Sequence, residues 1–262
     1  MNTANYHDSS LVQNLISKHE ISVDYANRLQ YLYGFKTVFI FDDSGSMNSE
    51  LDDSPLNKTS SQRATRWNEL EYFASISLEI ANLFDPNGCD VYFLNHQPPI
   101  KNIKSVPDFL NYFRQFRPGG YTPLTKTLNQ VLNDNAQIVS YEKKLLVIIV
   151  TDGEPTDQSG KIDIDGFHKC LLSRKPKDRI FTNIIACTDE QESIDYLNKW
   201  DKSIPNLDVV DDFRSEKKQI LKAKGSKFRF SYGDYVVKCL LGSVDKTLDK
   251  CDETSKEKCT LS

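Results

Sequence analysis

The stretch Phe39-Ile40-Phe41-Asp42-Asp43-Ser44-Gly45-Ser46-Met47 decides how the rest of the chain is read. An uninterrupted apolar run, Val38 to Phe41, ends abruptly in side chains that carry oxygen. Short runs of β-branched and aromatic residues without polar alternation mark strands buried on both faces of a parallel sheet. Open α/β sheets place their ligand sites just beyond the carboxyl ends of such strands. In extended chain, residues i, i+2 and i+4 point to one side, so Asp42, Ser44 and Ser46 converge. One carboxylate and two hydroxyls form an all-oxygen donor set, which suits a hard divalent cation such as Mg²⁺ or Mn²⁺ rather than zinc.

Two further segments have the same character. Val147-Ile148-Ile149-Val150-Thr151-Asp152-Gly153-Glu154-Pro155 is a second buried strand ending in an acid, and Gly119-Gly120-Tyr121-Thr122-Pro123-Leu124 leads into an apolar helical pattern. Taken singly, each has a plain reading. Thr122-Pro123 is an ordinary helix N-cap with proline at the first position, and the Asp-Ser-Gly and Asp-Gly runs are turn chemistry.

Around these segments strands and helices alternate. A helix carries Trp67, Leu70, Phe73, Ala74, Ile80, Ala81 and Phe84 on one side and stops at Asp85 to Gly88. Strands are predicted at Cys89 to Asn95, Ile100 to Lys104 (a short edge strand), Lys144 to Val150, Ile180 to Cys187 and Leu207 to Asp211. Helices are predicted around Pro107 to Phe116, from Pro123 to about Asn133, over Ile162 to Leu172, from a Thr188 cap to Trp200, and at the end, where Tyr232, Tyr235, Val236, Cys239 and Leu240 share a face. The alternation predicts a doubly wound α/β fold, a mainly parallel sheet with helices on both faces. Residues 1–34 read as a helical hairpin packed on the domain, with a capping box at Ser10 and Gln13 and apolar stripes at Leu11, Val12, Leu15, Ile16 and at Tyr25, Ala26, Leu29, Leu32, Tyr33. The main domain spans 35–245, and 246–262 reads as a polar, disordered tail.

The three segments together closely resemble the von Willebrand factor A (vWA) family and its metal-ion-dependent adhesion site, over roughly Phe35 to Leu241. The family pattern, Asp-x-Ser-x-Ser, then a Thr, then an Asp after a later strand, falls on Asp42, Ser44, Ser46, Thr122 and Asp152. The resemblance implies six strands with one antiparallel edge. It also implies that the hydroxyls of Ser44, Ser46 and Thr122 coordinate the metal directly, while Asp42 and Asp152 act largely through bound water. Neutral hydroxyls leave the cation's charge incompletely neutralised, so a partner's Asp or Glu carboxylate can replace a water and complete the octahedron. The function so implied is a metal-dependent protein-binding module, not an enzyme. Asp43 reads as a solvated turn residue. With Asp52, Asp53, Tyr121 and Glu154 it makes up the expected partner-contacting set, and the polar stretch Asn48 to Thr65 reads as a surface loop on the metal's face.

Composition is in keeping with this. The 262 residues are 39% hydrophobic and 27% charged, with a net charge of −4, which gives no general reason to expect a nucleic-acid partner. The N-terminus shows no signal peptide and no apolar run is long enough to span a bilayer, so the chain reads as cytoplasmic. Of six cysteines, Cys187 and Cys239 read as core thiols, while Cys251 and Cys259 could pair under oxidising conditions. A Mg²⁺-dependent phosphoryl-transfer enzyme is the alternative, since a strand ending in Asp-Asp is shared with aspartate-nucleophile phosphatases. Those have a second Asp where Ser44 stands, and no phosphate-binding glycine loop occurs. A basic run of Arg214, Lys217, Lys218, Lys222, Lys224, Lys227 and Arg229 offers a third reading, binding to an anionic surface.

Overall fold

A computed structural model of the chain describes residues 10–52, 54–58, 63–187 and 195–249. Six strands form one sheet: β1 (Phe35–Phe41), β2 (Cys89–Phe93), β3 (Ile100–Ile103), β4 (Lys144–Thr151), β5 (Ile180–Ala186) and β6 (Leu207–Val210). Their order is β3-β2-β1-β4-β5-β6, with every pairing parallel except β2 with β3 at the edge. The helices are α1 (Ser10–Lys18), α2 (Val23–Ala26), α3 (Arg66–Phe84), α4 (Val106–Phe113), α5 (Leu124–Asp134), α6 (Ala136–Tyr141), α7 (Ile164–Ser173), α8 (Asp195–Asp201), α9 (Phe213–Lys224), α10 (Tyr232–Leu241) and α11 (Lys246–Asp249). None is long and apolar enough among the described residues to cross a membrane.

The central strands show why an apolar run without alternation still obeys the two-residue period of a strand. Phe39 and Phe41 of β1, with Leu146, Ile148 and Val150 of β4, face a core shared with α3, α4 and α10. Val38 and Ile40, with Leu145, Val147 and Ile149, face a second core shared with α5 to α8. Both faces are buried, so both phases of the period are apolar. Strands β1 and β4 are neighbours in register, Val38 beside Val147 and Phe41 beside Val150. From β1 the chain moves outward to β2 and β3 on one side, then returns to β4, β5 and β6 on the other. The topological switch point, where such sheets open a crevice, therefore lies between the carboxyl ends of β1 and β4.

Three expectations need adjustment. The N-terminal unit is α1 followed by a single turn, α2, and a 3-10 turn at Leu29–Leu32, rather than two full helices. Leu15, Ile21, Tyr25, Leu29 and Leu32 belong to the same core as α3 and α10. The approach is close: a Cβ on Gly233 of α10 would stand 2.1 Å from the His19 carbonyl oxygen. The ordered chain also passes the expected boundary at 245, because Leu248 of α11 is buried and Arg28 pairs with Asp245. The rest of the tail, with Cys251 and Cys259, lies outside the described residues, as does the Thr188 cap. Finally, the polar stretch after β1 is built rather than loose where it is described. A 3-10 turn spans Pro55–Lys58, Glu50 bridges Thr65, and Leu51, Ser54 and Ala64 are buried. Asn57 holds it together, donating to the Leu51 and Asp52 carbonyls and accepting from the Ala64 amide.

Candidate functional site

Asp42 is the first residue past β1, and its amide still donates to the Val150 carbonyl of β4 at 2.9 Å. Its side chain is fully buried. Oδ1 accepts from the Ser44 amide at 2.8 Å and Oδ2 from the Thr151 hydroxyl at 2.6 Å. Ser44 is extended, but Gly45–Asn48 form a 3-10 turn. The three residues thus meet through a turn and not through the straight strand that their alternation suggested. Ser44 Oγ lies 3.0 Å from Ser46 Oγ, which donates to Asp152 Oδ1 at 2.8 Å. Asp152 is the first residue past β4, and its Oδ2 accepts from Arg66 at 2.9 Å. Residues from the first and third motifs, 106 positions apart for Ser46 and Asp152, are in direct contact.

The second motif is stitched to the other two through its backbone. The Gly119 amide donates to the Asp43 carbonyl at 2.7 Å and the Gly45 amide to the Gly120 carbonyl at 3.2 Å. Gly120 has φ +95°, and a Cβ there would meet the Asn95 side chain at 2.5 Å, so this crossing requires glycine. Thr122 exchanges bonds with Thr156 beyond Asp152: its amide donates to Thr156 Oγ1, and its carbonyl accepts from the Thr156 amide, both at 2.9 Å. The plain reading of Thr122 as a helix cap does not hold. The residue preceding α5 is Pro123, with no side-chain cap, and Thr122 bonds through its backbone alone among the described residues. The residue is nearly buried, and a hydroxyl without a protein partner has lone pairs to offer.

The electrostatics point the same way. Burial, and next the neighbouring Asp152 carboxylate, push the Asp42 carboxyl up to about 7, against the hydrogen bonds from Ser44 and Thr151 that pull it down. No cluster of three or more His, Cys, Asp or Glu side chains suited to a metal occurs among the described residues. The site is instead rich in hydroxyls, with only two carboxylates. Such a set fits a hard cation that keeps part of its water shell and does not fit a soft thiolate-binding ion.

The expected partner-contacting residues divide. Asp43 is not solvated: it is fully buried, accepting from the Asn95 amide (2.8 Å), Asn95 Nδ2 (3.1 Å) and the His96 amide (2.9 Å), and pairing with the His96 ring. It points away from its neighbour Asp42 and anchors the loop between β2 and β3. Tyr121 is 54% exposed, Glu154 is half-buried, and Asp52 is exposed and pairs with Arg63. Asp53 lies outside the described residues. In the basic run, Arg214 is not a free surface cation, since it bonds Glu69 and Asp212 at 3.0 Å each. Sequence reasoning missed Arg66 and Thr151. Thr151 was detectable as the hydroxyl adjoining the second acid; Arg66, 86 residues from Asp152, carried no local signal.

No protein-family profile matches the chain, and no curated protein matches it. Among solved structures it is similar to proximal thread matrix protein 1 from the mussel byssus, at 17% identity and a TM-score of 0.43, over 80% of this chain and 47% of that one. It is likewise similar to the same mussel protein with a zinc-occupied MIDAS motif, at 18% identity and a TM-score of 0.44, over 79% and 46%. The chain spans about half the length of these proteins. By its own topology, five parallel strands with one antiparallel at the edge and helices on both faces, the fold is a vWA/Rossmann-like α/β sandwich.

Proposed function

We propose that the chain is a metal-ion-dependent protein-binding module of the vWA type, with Mg²⁺ or Mn²⁺ as its ion. The observation that carries this reading is the contact chain Ser44–Ser46–Asp152 at the switch point, with the Gly119-Gly120 segment that leads to Thr122 tied to it at the Gly45 amide. Ser44, Ser46 and Thr122 would hold the cation directly. Asp42 and Asp152 would orient those hydroxyls and the remaining water, as carboxylates behind a metal's direct ligands do. The bound ion would supply an electrophilic position for an incoming carboxylate from another protein. Tyr121, Glu154 and Asp52 are the proposed rim against which that protein packs.

Binding suits these residues better than turnover. Both oxygens of Asp42 are engaged, and residue 44 is a serine, too weak an acid to protonate a leaving group near neutral pH. The test is titration of the metal-stripped protein with Mg²⁺ and Mn²⁺, followed by partner selection with and without EDTA. One saturable site, and a partner lost in EDTA, are the expected results. A partner retained at full affinity in EDTA would place the interaction surface elsewhere.

A further inference from the structure

Strands β1, β4 and β5 start in step. Phe35 pairs with Lys144 and Leu145 with Ile180, so Lys144 and Arg179 stand side by side at the amino ends of neighbouring parallel strands. Such strands lie only about 4.8 Å apart, and like charges placed directly across from each other repel. Neither cation has an anionic partner among the described residues. The Lys144 ammonium stands instead over two rings, 5.8 Å from the centre of Phe35 and 5.5 Å from that of Phe181. Arg179 Nε is closed off from solvent and has no hydrogen-bond partner among the described residues, where buried polar groups are almost always paired. Two unanswered cations side by side call for an anion from outside the chain.

The pair lines a cavity of about 530 Å³, within the size range of small-molecule sites. Its other walls are aromatic. Phe35 and Phe181 meet edge to face at 5.2 Å, and Tyr31 and Tyr33, 50% and 56% exposed, come from the segment before β1. Tyr33 is braced by the Phe84 ring at 5.0 Å. Glu142 is the acid of the lining and, among the described residues, pairs with neither cation.

We propose that this cavity binds a small molecule that joins a phosphate to a planar ring, the chemistry of a nucleoside monophosphate. A phosphate monoester carries about two negative charges near neutral pH and so matches both cations, where a carboxylate would answer only one. The planar fork of arginine takes two phosphate oxygens at once, and lysine adds a point charge. The tyrosine faces offer a base a surface to stack on. The phosphate would lie between Lys144 and Arg179, with the ring against Tyr31. Asp42 and Asp152 stand at the opposite end of the sheet, so this binding needs no metal and is independent of the site described above.

Calorimetric titration of the whole chain in EDTA makes the test. The probes are the monophosphates of adenosine, guanosine, cytidine and uridine, each nucleoside alone, and inorganic phosphate alone. At least one monophosphate should saturate a single site and bind roughly tenfold more tightly than its nucleoside or phosphate alone. Lys144→Gln and Arg179→Gln should each weaken that binding by roughly tenfold, the loss of one charge-assisted hydrogen bond, and Tyr31→Ala by several-fold. Without ligand, Arg179→Gln should melt no lower than wild type, because it removes a repulsion and an unpaired buried group. Lys144 and Tyr31 are exposed, so their variants carry the test if Arg179→Gln does not fold. No saturable binding by any monophosphate, binding no tighter than that of phosphate alone, or equal binding by wild type and Lys144→Gln overturns the inference.

Discussion

The amino and carboxyl ends of the sheet both bury acids, and they treat them differently. Near the amino end, Asp90 of β2 is enclosed by cations. Lys36 Nζ lies 2.8 Å from its Oδ1 and also donates to the Gly88 carbonyl, while Lys101 Nζ stands 3.5 Å from Oδ2. The Asn102 amide completes the shell at 2.9 Å. Every charge there has its answer within the protein. At the carboxyl end, Asp42 and Asp152 are met mainly by hydroxyls, and among the described residues Arg66 is the cation in contact with them. The first arrangement is a finished piece of scaffold. The second is polarised and short of positive charge, as a cation site must be. Buried acids alone therefore do not mark a site; the proposed one rests on two of them beside hydroxyls.

The largest expected effect tests the scaffold half of that contrast. Lys36→Ala leaves Asp90 buried with much of its compensation gone and should cost about 3–5 kcal/mol in denaturant unfolding. Metal affinity should not change; an accompanying loss of metal binding would mean the two ends are not independent. Next come the site acids. Asp42→Ala or Asp152→Ala should weaken Mg²⁺ binding by about 10 to 100-fold, measured by titration, with the far-ultraviolet circular dichroism retained. Unchanged affinity in both variants would reject the assigned residues.

The smallest effect concerns pH, and its sign follows from the raised Asp42 carboxyl. Between the ordinary carboxylate range and about 7, the folded protein holds a proton on Asp42 that the unfolded chain does not. This group therefore adds stability to the metal-free protein as pH falls from 7 toward 4, and that contribution is gone above 7. Mg²⁺ competes with the same proton, so the rise in melting temperature on adding Mg²⁺ should be larger at pH 7.5 than at pH 5.5. Thermal melts at the two pH values, with and without Mg²⁺, would measure it. An equal increment at both would show that Asp42 is ionised throughout.

What was legible in the sequence followed local rules. Strands β1 and β4 stood out because burial on both faces makes both phases of the strand period apolar, and the oxygen donors stood out because they interrupt that pattern. The doubly wound arrangement came with them, while the antiparallel edge of the six-stranded sheet was implied by the vWA resemblance. What was hidden depends on contacts far apart in the chain. Asp43 turns from its neighbour toward Asn95 and His96, 52 and 53 residues on, and nothing in Asp-Asp-Ser distinguishes the two acids. The 3-10 turn at Gly45–Asn48 follows from bonds to the Gly119-Gly120 crossing and to Pro118, which no periodicity encodes. The burial of Leu248 belongs to a core that only the closed fold supplies.

The most direct test is calorimetric titration of the metal-stripped protein with Mg²⁺ and Mn²⁺, wild type beside Thr122→Ala. Thr122 is the decisive position because its hydroxyl bonds no described protein group, so its removal disturbs little except an ion. The account predicts one saturable site in the wild type, weakened in the variant, with both proteins melting alike when metal-free. Wild-type protein that takes up neither ion, or a variant that binds as tightly as wild type, would contradict it.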